Sequence, residues 1–164
     1  MSLHVALRID DAVWKKELPG IGKLVNTAAK AAWKAGNTGD FKLPVISAEV
    51  SVLLTNDEAV RVLNKTYRGI DRPTNVLSFA ALDDKDEPVV DPMLLGDIVV
   101  AFETMKHEAE EQNIPPKDHL FHLIVHGVLH LIGYDHMTED DAAIMESLEI
   151  EILAQNGMEN PYDN

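Results

Sequence analysis

The segment His126-Gly-Val-Leu-His130-Leu-Ile-Gly133-Tyr-Asp-His136 constrains the fold of this chain more than any other part of its sequence. Two histidines four residues apart lie on one face of an α-helix, because each turn takes about 3.6 residues. Gly133 can end such a helix in a left-handed conformation, which lets the chain double back and bring His136 to the other two imidazoles. Three nitrogen ligands with an open fourth position are typical of catalytic zinc, so the segment predicts a site for one Zn²⁺ ion.

The same segment matches the extended zinc-peptidase pattern H-E-x-x-H-x-x-G-x-x-H at every histidine and at the glycine. It departs at the second position, where the peptidases carry their general-base glutamate and this chain carries Gly127. The metal ligands are therefore present without the base that peptide cleavage normally needs. We expect a zinc-binding protein that does not cleave peptides by the usual route.

The ligands available for such a site are limited, because the chain of 164 residues contains no cysteine. Disulfides and thiolate ligands are excluded, so any metal must be held by histidines or carboxylates. The N-terminus lacks a basic segment followed by an apolar one, and the apolar runs are too short to span a bilayer. We therefore expect a cytoplasmic protein without a membrane partner.

Charge is distributed unevenly along the chain, whose formal net charge is −14. Residues 1–82 carry 11 Lys and Arg against 8 Asp and Glu, whereas residues 83–164 carry 3 against 20. The basic side chains gather around Arg61, Lys65, Arg68 and Arg72. Phosphate affinity depends on such local contacts, so the overall acidity disfavours tight non-specific RNA binding but is compatible with a basic groove.

Hydrophobic periodicity predicts a single α/β domain over residues 1–164. The predicted strands are 3–9, 45–54, 75–79 and 94–101, and the predicted helices are 21–35, 55–67, 102–112, 116–132 and 138–154. Capping boxes at Thr55 and Thr138 open two of these helices, and residues 83–92 are predicted to form an exposed loop. We expect an α+β sandwich in which a small mixed sheet of about four strands packs with about five helices, one of them a zincin-like metal-binding helix.

Further titratable residues lie near the histidine segment. His122 precedes His126 by one helical turn, and is either a partner of the metal site, a proton shuttle or a substrate contact, or else a hydrogen-bonded interior histidine. Asp135 could orient a ligand, fix the turn or accept a proton. Three further expectations concern burial: His107 and His119 face solvent, and the acidic run 139–151 is a solvated helix face with Ile144, Leu148 and Ile152 buried behind it.

A second segment, Asn64-Lys-Thr-Tyr-Arg68-Gly-Ile-Asp-Arg-Pro-Thr-Asn-Val-Leu-Ser-Phe79, indicates a possible anion site. Arg68 ends a predicted helix before a glycine turn, from which its guanidinium group can reach a phosphate, although a single arginine is more often solvated. Lys65, Arg72 and Asn75 are weaker candidates for the same groove. Asp97 lies in an apolar predicted strand and, if buried, needs Arg68 or a backbone donor as a partner.

Together, the two segments resemble the YbeY family of bacterial rRNA-maturation endoribonucleases. The resemblance rests on the motif from Asn64 to Phe79, the motif from His126 to His136, and the sequence Leu95-Gly-Asp-Ile98 between them, all in the expected order. It covers roughly residues 45–155.

This resemblance implies a zinc-dependent, single-strand-specific endoribonuclease that acts in 16S rRNA 3′-end maturation and in ribosome quality control. The zinc ligands of the family fall on His126, His130 and His136, and its functionally important arginine falls on Arg68. The implied partners are the rRNA precursor, the small ribosomal subunit and the GTPase Era, and DNA is not expected as a substrate. Two alternatives stay open: a non-catalytic, zinc-stabilised ribosome-assembly factor, and a zinc peptidase that takes its base from elsewhere in the fold.

Overall fold

A four-stranded mixed sheet lies at the centre of the computed structural model, which describes residues 2–81 and 91–163. The strands are β1 (Ser2–Ile9), β2 (Ser47–Thr55), β3 (Val76–Ala80) and β4 (Met93–Ala101), in the spatial order β1-β2-β4-β3. Strands β1, β2 and β4 are parallel, and β3 pairs antiparallel with β4 at the edge. The four predicted strands are confirmed. The loop predicted over 83–92 lies outside the described residues, except for its last two positions.

The described residues also form six α-helices and a short 3₁₀ turn over residues 39–41. The helices are α1 (Val13–Glu17), α2 (Ile21–Gly36), α3 (Asp57–Arg68), α4 (Phe102–Gln112), α5 (Pro116–Ile132) and α6 (Glu139–Gln155). The five predicted helices are confirmed as α2 to α6. Helix α1 was not predicted because five residues carry too little periodicity. It is held by the buried Trp14, whose indole N–H donates to the carbonyl oxygen of Thr55 at 2.8 Å.

The two predicted helix caps have different outcomes. Thr138 caps α6 as expected, because its hydroxyl oxygen accepts a hydrogen bond from the backbone N–H of Asp141 at 3.1 Å. The predicted cap at Thr55 is wrong by one residue, since the side chain of Asn56 accepts from the N–H of Ala59 at 2.9 Å. Thr55 instead completes strand β2 and is buried there.

The two faces of the sheet are covered differently, because side chains alternate along each strand. One face carries Val50, Val52 and Ile98 into the main core, which it shares with α2 and α5. The other face packs Val99 against Val60 of α3 in a smaller cluster. Helix α5 therefore packs against both the sheet and α2, and its position is set by both.

Close contacts fix both sides of α5. A Cβ atom added at Gly36 of α2 would lie 2.6 Å from the side chain of Leu129, so glycine allows the two helices to approach. Beyond the end of α5, the hydroxyl of Tyr134 donates to the carbonyl oxygen of Gly36 at 2.9 Å, and its ring stacks on Phe41. Across the described residues, no helix combines the length and apolar character needed to cross a membrane.

Candidate functional site

The three histidines of the predicted metal site come together at the C-terminal end of α5. His126 and His130 lie one turn apart on the helix, and Gly133 ends it with a positive φ of 132°. The chain then turns back and brings His136 beside them. The ring centroids are 6.5 Å apart for His126 and His130, 5.7 Å for His126 and His136, and 6.3 Å for His130 and His136.

Hydrogen bonds orient the two helical histidines. Nδ1 of His126 lies 2.6 Å from Oε1 of Glu149, and Nδ1 of His130 lies 3.1 Å from the carbonyl oxygen of Tyr134. An ionised carboxylate and a carbonyl only accept, so each Nδ1 carries the proton and each Nε2 presents its lone pair. Burial, followed by the neighbouring His126, lowers the pKa of His130. Neutral imidazoles with a bonded Nδ1 are the form that binds metals.

The spacing of the rings provides a test of fit. Zn–N bonds of about 2.0–2.1 Å in a tetrahedral arrangement would place imidazole centroids roughly 5 Å apart. The observed separations are wider, and no three His, Asp or Glu side chains in the described part of the chain are already positioned to hold an ion. His136 is exposed and follows the turn at Gly133. The donor set, three imidazoles without thiolate, suits zinc.

Glu149 is a functional candidate that the sequence analysis missed. The acidic run 139–151 was expected to be a solvated face, but Glu149 is 0% exposed. It lies on the buried stripe of α6 with Met145 and Ile152, whereas Ile144, expected to be buried, is 52% exposed. The spacing 145, 149 and 152 is a helical repeat, and that periodicity was the available signal.

The contacts of His122 and Asp135 narrow their possible roles. Nε2 of His122 lies 3.2 Å from Oε2 of Glu149 and 3.3 Å from the hydroxyl of Tyr162, which are the contacts of a hydrogen-bonded interior histidine. Asp135 accepts a hydrogen bond from the backbone N–H of Met137 at 3.0 Å, and this contact fixes the turn that contains His136. Both residues lie beside the predicted metal site, and both hydrogen-bond to other groups of the protein.

His119 does not face solvent as expected, since it is 4% exposed. Its Nε2 lies 2.9 Å from Oε1 of Glu108 on α4, and the same oxygen accepts from Nδ2 of Asn75 at 3.0 Å. Burial raises the pKa of Glu108, but the hydrogen bonds from His119 and Asn75 together lower it below its usual value. His107, by contrast, is exposed beside Glu111 as predicted.

Packing explains why glycine occupies position 127. A Cβ atom there would lie 3.0–3.2 Å from three side-chain atoms of Ile98, which is fully buried in β4. A side chain at this position would therefore enter the core between α5 and the sheet. A glutamate at position 127 would have to displace Ile98, so the packing of α5 on β4 disfavours the base of the peptidase pattern here.

Two adjoining cavities lie between His126 and Arg68. The first, of about 360 Å³, is lined by residues that include Asn75, Glu108 and His126. The second, of about 420 Å³, is lined by residues that include Asn75, Glu108, Arg68 and Arg72. The two cavities meet at Asn75 and Glu108, and we call them together the Arg–His groove; His126 is the predicted metal ligand in its lining. The predicted companions Arg72 and Asn75 thus lie with Arg68.

The basic side chains near this groove differ in their partners. Arg61 pairs with Glu58 and Asp71, and Nζ of Lys65 lies 3.9 Å from Asp71. Arg68 donates only a long hydrogen bond, 3.5 Å, to the carbonyl oxygen of Ser78. Among the described residues, no carboxylate forms an ion pair with Arg68 or Arg72. These two arginines therefore keep their positive charge available for an anion.

Asp97 lies outside this arrangement. It is exposed on the face of the sheet opposite α5 and needs no buried partner. The partner expected for a buried Asp97 is therefore not required, and the guanidinium group of Arg68 reaches Ser78. Lys65 is likewise not among the residues that line the Arg–His groove.

Comparison with known proteins identifies a family for this chain. Residues 9–157 match the family described as endoribonuclease YbeY. A relative of that name from Rhodospirillum rubrum is 50% identical over 164 residues, covering 96% of this chain and 82% of the relative. Another, from Paramagnetospirillum magneticum, is 44% identical over 164 residues, covering 99% and 97%.

A solved structure shows the same fold. The solution structure of a Thermotoga maritima protein superposes with a TM-score of 0.55 at 24% identity, covering 93% of this chain and 91% of that one. The predicted α/β architecture is confirmed by this likeness and by the four-stranded mixed sheet. Because the family match covers most of the chain and the relatives are 44–50% identical to it, the chain belongs to the endoribonuclease YbeY family.

Proposed function

We propose that this protein is a zinc-dependent, single-strand-specific endoribonuclease of the cytoplasm that acts in 16S rRNA 3′-end maturation and ribosome quality control. The observation that carries the proposal is the Arg–His groove, whose lining includes the predicted metal ligand His126 and two arginines, Arg68 and Arg72, that form no ion pair within the described part of the chain. A phosphodiester needs both elements, because its charge must be bound and its phosphorus made susceptible to attack.

His126, His130 and His136 would hold the metal through their Nε2 atoms, or through either ring nitrogen in the case of His136. Zinc bound there supplies a Lewis acid and lowers the pKa of coordinated water toward neutrality. The protein contributes the tautomer and the fixed orientation of two of the three rings, through Glu149 and the carbonyl of Tyr134.

Arg68 would bind the scissile phosphate or its neighbour. Helix α3 ends at this residue, and Gly69 follows with a φ of 71°, so the guanidinium group projects from a defined turn. Its fork can donate two parallel hydrogen bonds to a phosphate and stabilise the additional negative charge that develops during attack. Arg72 lies in the same cavity and offers a second cation for the strand.

The net charge of −14 does not oppose this use of the groove. Short-range contacts with Arg68 and Arg72 determine phosphate binding, while the acidic remainder acts at longer range and is screened beyond roughly 8–10 Å at physiological salt. The acidic surface would disfavour indiscriminate RNA binding. We therefore expect weak, strongly salt-dependent affinity for RNA and selection by groove shape.

The test combines metal analysis with cleavage of single-stranded RNA by wild-type, His130→Ala and Arg68→Ala proteins. His130→Ala should lose bound metal and activity together. Arg68→Ala should retain metal and lose about 100-fold or more in rate, as for other donors to a developing anion. Arg61→Ala is the matched control, because Arg61 lies on the same helix but is paired with Glu58 and Asp71. It should cleave at nearly the wild-type rate.

Other outcomes separate the alternatives. Full activity of Arg68→Ala would refute its proposed role. Metal-loaded wild-type protein that leaves RNA uncut but still binds small-subunit particles would indicate a non-catalytic assembly factor. Turnover of casein that disappears in His130→Ala would indicate a peptidase, which the packing at Gly127 disfavours.

The proposed partners are the small ribosomal subunit and the GTPase Era, which the family resemblance supports. Co-sedimentation of the purified protein with small-subunit particles, and binding to purified Era, test each partner separately. Binding that does not change when Arg68 is replaced would place the protein contacts outside the Arg–His groove.

A further inference from the structure

Glu149 is a buried carboxylate at the junction of three elements. It lies on α6, is 0% exposed, and faces His126 and His122 of α5. From the C-terminal segment after α6, the hydroxyl of Tyr162 donates a short hydrogen bond to Oε2 of the same carboxylate. One side chain therefore connects a predicted metal ligand with the end of the chain.

Burying a carboxylate is costly unless hydrogen bonds satisfy it. Three side chains supply such bonds to Glu149: His122, His126 and Tyr162. The carboxylate has apolar neighbours along the buried face of α6, such as Met145 and Ile152, and an apolar side chain at its position would avoid the cost of burial. Its presence calls for a role that needs an acceptor at this position.

The contact with His126 identifies that role. Oε1 of Glu149 lies 2.6 Å from Nδ1 of His126, which fixes the rotation of the ring and keeps the proton on Nδ1. Oε2 is held by Tyr162 and His122, so the carboxylate itself cannot rotate freely. The ring of Tyr162 also packs edge-on against His122, with centroids 5.6 Å apart.

We propose that Glu149 is the positioning residue for the metal ligand His126, and that Tyr162 holds Glu149 in place, so that metal affinity depends on the docking of the C-terminal segment. This inference rests on the proposed metal site. By thermodynamic linkage, a segment that increases metal affinity is itself stabilised by the metal to the same extent.

The first experiment measures zinc affinity by competition with a chromophoric chelator. Glu149→Gln keeps the volume of the side chain and removes its charge, and it should weaken zinc binding about 10–100-fold, as is usual for partners of ligating histidines. Tyr162→Phe should weaken it by a smaller factor, roughly threefold to tenfold. Glu151→Gln is the matched control, because Glu151 is exposed on the same helix, and its affinity should equal that of wild type.

A second readout separates positioning from a merely structural role. Cobalt bound to three imidazoles gives a visible absorption spectrum that reports ligand geometry, so Glu149→Gln should shift or weaken its bands at saturating cobalt. Metal-free thermal unfolding and circular dichroism of each variant establish that it is folded. If Glu149→Gln does not fold, Tyr162→Phe still tests the inference, because it removes only the hydroxyl group that holds the carboxylate of Glu149.

The linkage is tested by limited proteolysis of the C-terminal segment. Zinc should slow its cleavage in wild type, and this protection should be smaller in Tyr162→Phe. Wild-type affinity and an unchanged cobalt spectrum in both variants would overturn the inference while leaving the metal site intact. Absence of zinc binding by wild type, or its persistence in His130→Ala, would instead overturn the proposed metal site.

Discussion

Gly127 allows the packing of the metal-binding helix on the sheet to be tested quantitatively. Replacing glycine by alanine inside a helix normally stabilises a protein by roughly 0.5–1 kcal/mol. At Gly127 the new methyl group would lie 3.0 Å from Cδ1 and 3.2 Å from Cγ1 and Cγ2 of Ile98. Overpacking of this kind costs about 1–3 kcal/mol. We therefore expect Gly127→Ala to lower the free energy of unfolding by about 1 kcal/mol, as the difference between these two effects.

Gly22→Ala in α2 is the matched control, because no atom lies within 4 Å of a Cβ at Gly22. This variant should be as stable as wild type or more stable by up to about 1 kcal/mol. Urea unfolding of metal-free protein, followed by the fluorescence of the buried Trp14 and Trp33, measures both variants. Removing the metal matters, because bound metal would add its own contribution to stability.

A double-mutant cycle locates the strain. Ile98→Val removes Cδ1, the closest atom, and alone should cost about 1 kcal/mol. In the Gly127→Ala background the same change should cost almost nothing, giving a coupling energy of about 1 kcal/mol. The packing account would be refuted if Gly127→Ala stabilised the protein as much as Gly22→Ala does, or if the two changes were additive.

Contacts at Gly96, Glu108 and Tyr134 can be tested in the same way. Gly96→Ala should lower the free energy of unfolding by roughly 3 kcal/mol or more in urea titrations. The new methyl group would lie 2.1 Å from the carbonyl oxygen of Phe79, and Gly96 has a φ of 141°, which alanine rarely adopts. Glu108→Gln should lose less stability than wild type on acidification. Because the pKa of Glu108 is lowered, its ionised form stabilises the fold at pH values above its ordinary pKa of 4.5. This contribution disappears as the pH falls through the pKa of Glu108 in the folded state. If this is incorrect, the free energies of unfolding of wild type and variant will follow parallel curves across the acidic range. Tyr134→Phe should lower the free energy of unfolding by about 1 kcal/mol in thermal or urea unfolding, because it loses the hydrogen bond to α2. An unchanged free energy of unfolding would show that this bond does not stabilise the fold.

Much of the fold could be predicted because its strands and longer helices have regular patterns. The histidine spacing, together with the glycine at 133, also predicted that three imidazoles would meet, as the ring distances confirm. Whether these rings hold zinc stays a prediction. The resemblance of the two motifs predicted the family, which the comparisons confirm.

The errors involve polar residues whose burial depends on distant parts of the chain. Glu149 was assigned to a solvated face because its neighbours in sequence are acidic, but α6 turns this one carboxylate toward α5. His119 was expected to be exposed because it has no helical relation to the three predicted ligands, but its partner Glu108 lies on another helix. Sequence spacing gives the face of a helix, but it does not reveal which polar group of another element will meet that face.

The hydrogen bonds of Glu108 affect how an RNA strand would bind in the Arg–His groove. The carboxylate of Glu108 on α4 bonds both Asn75, which directly precedes β3, and His119 on α5. The junction between the two cavities of the Arg–His groove is thus held by hydrogen bonds from three parts of the fold. A binding site of fixed span loses little conformational entropy on association and accepts only strands whose phosphates match its length. The RNA backbone, rather than the protein, would therefore change its conformation on binding.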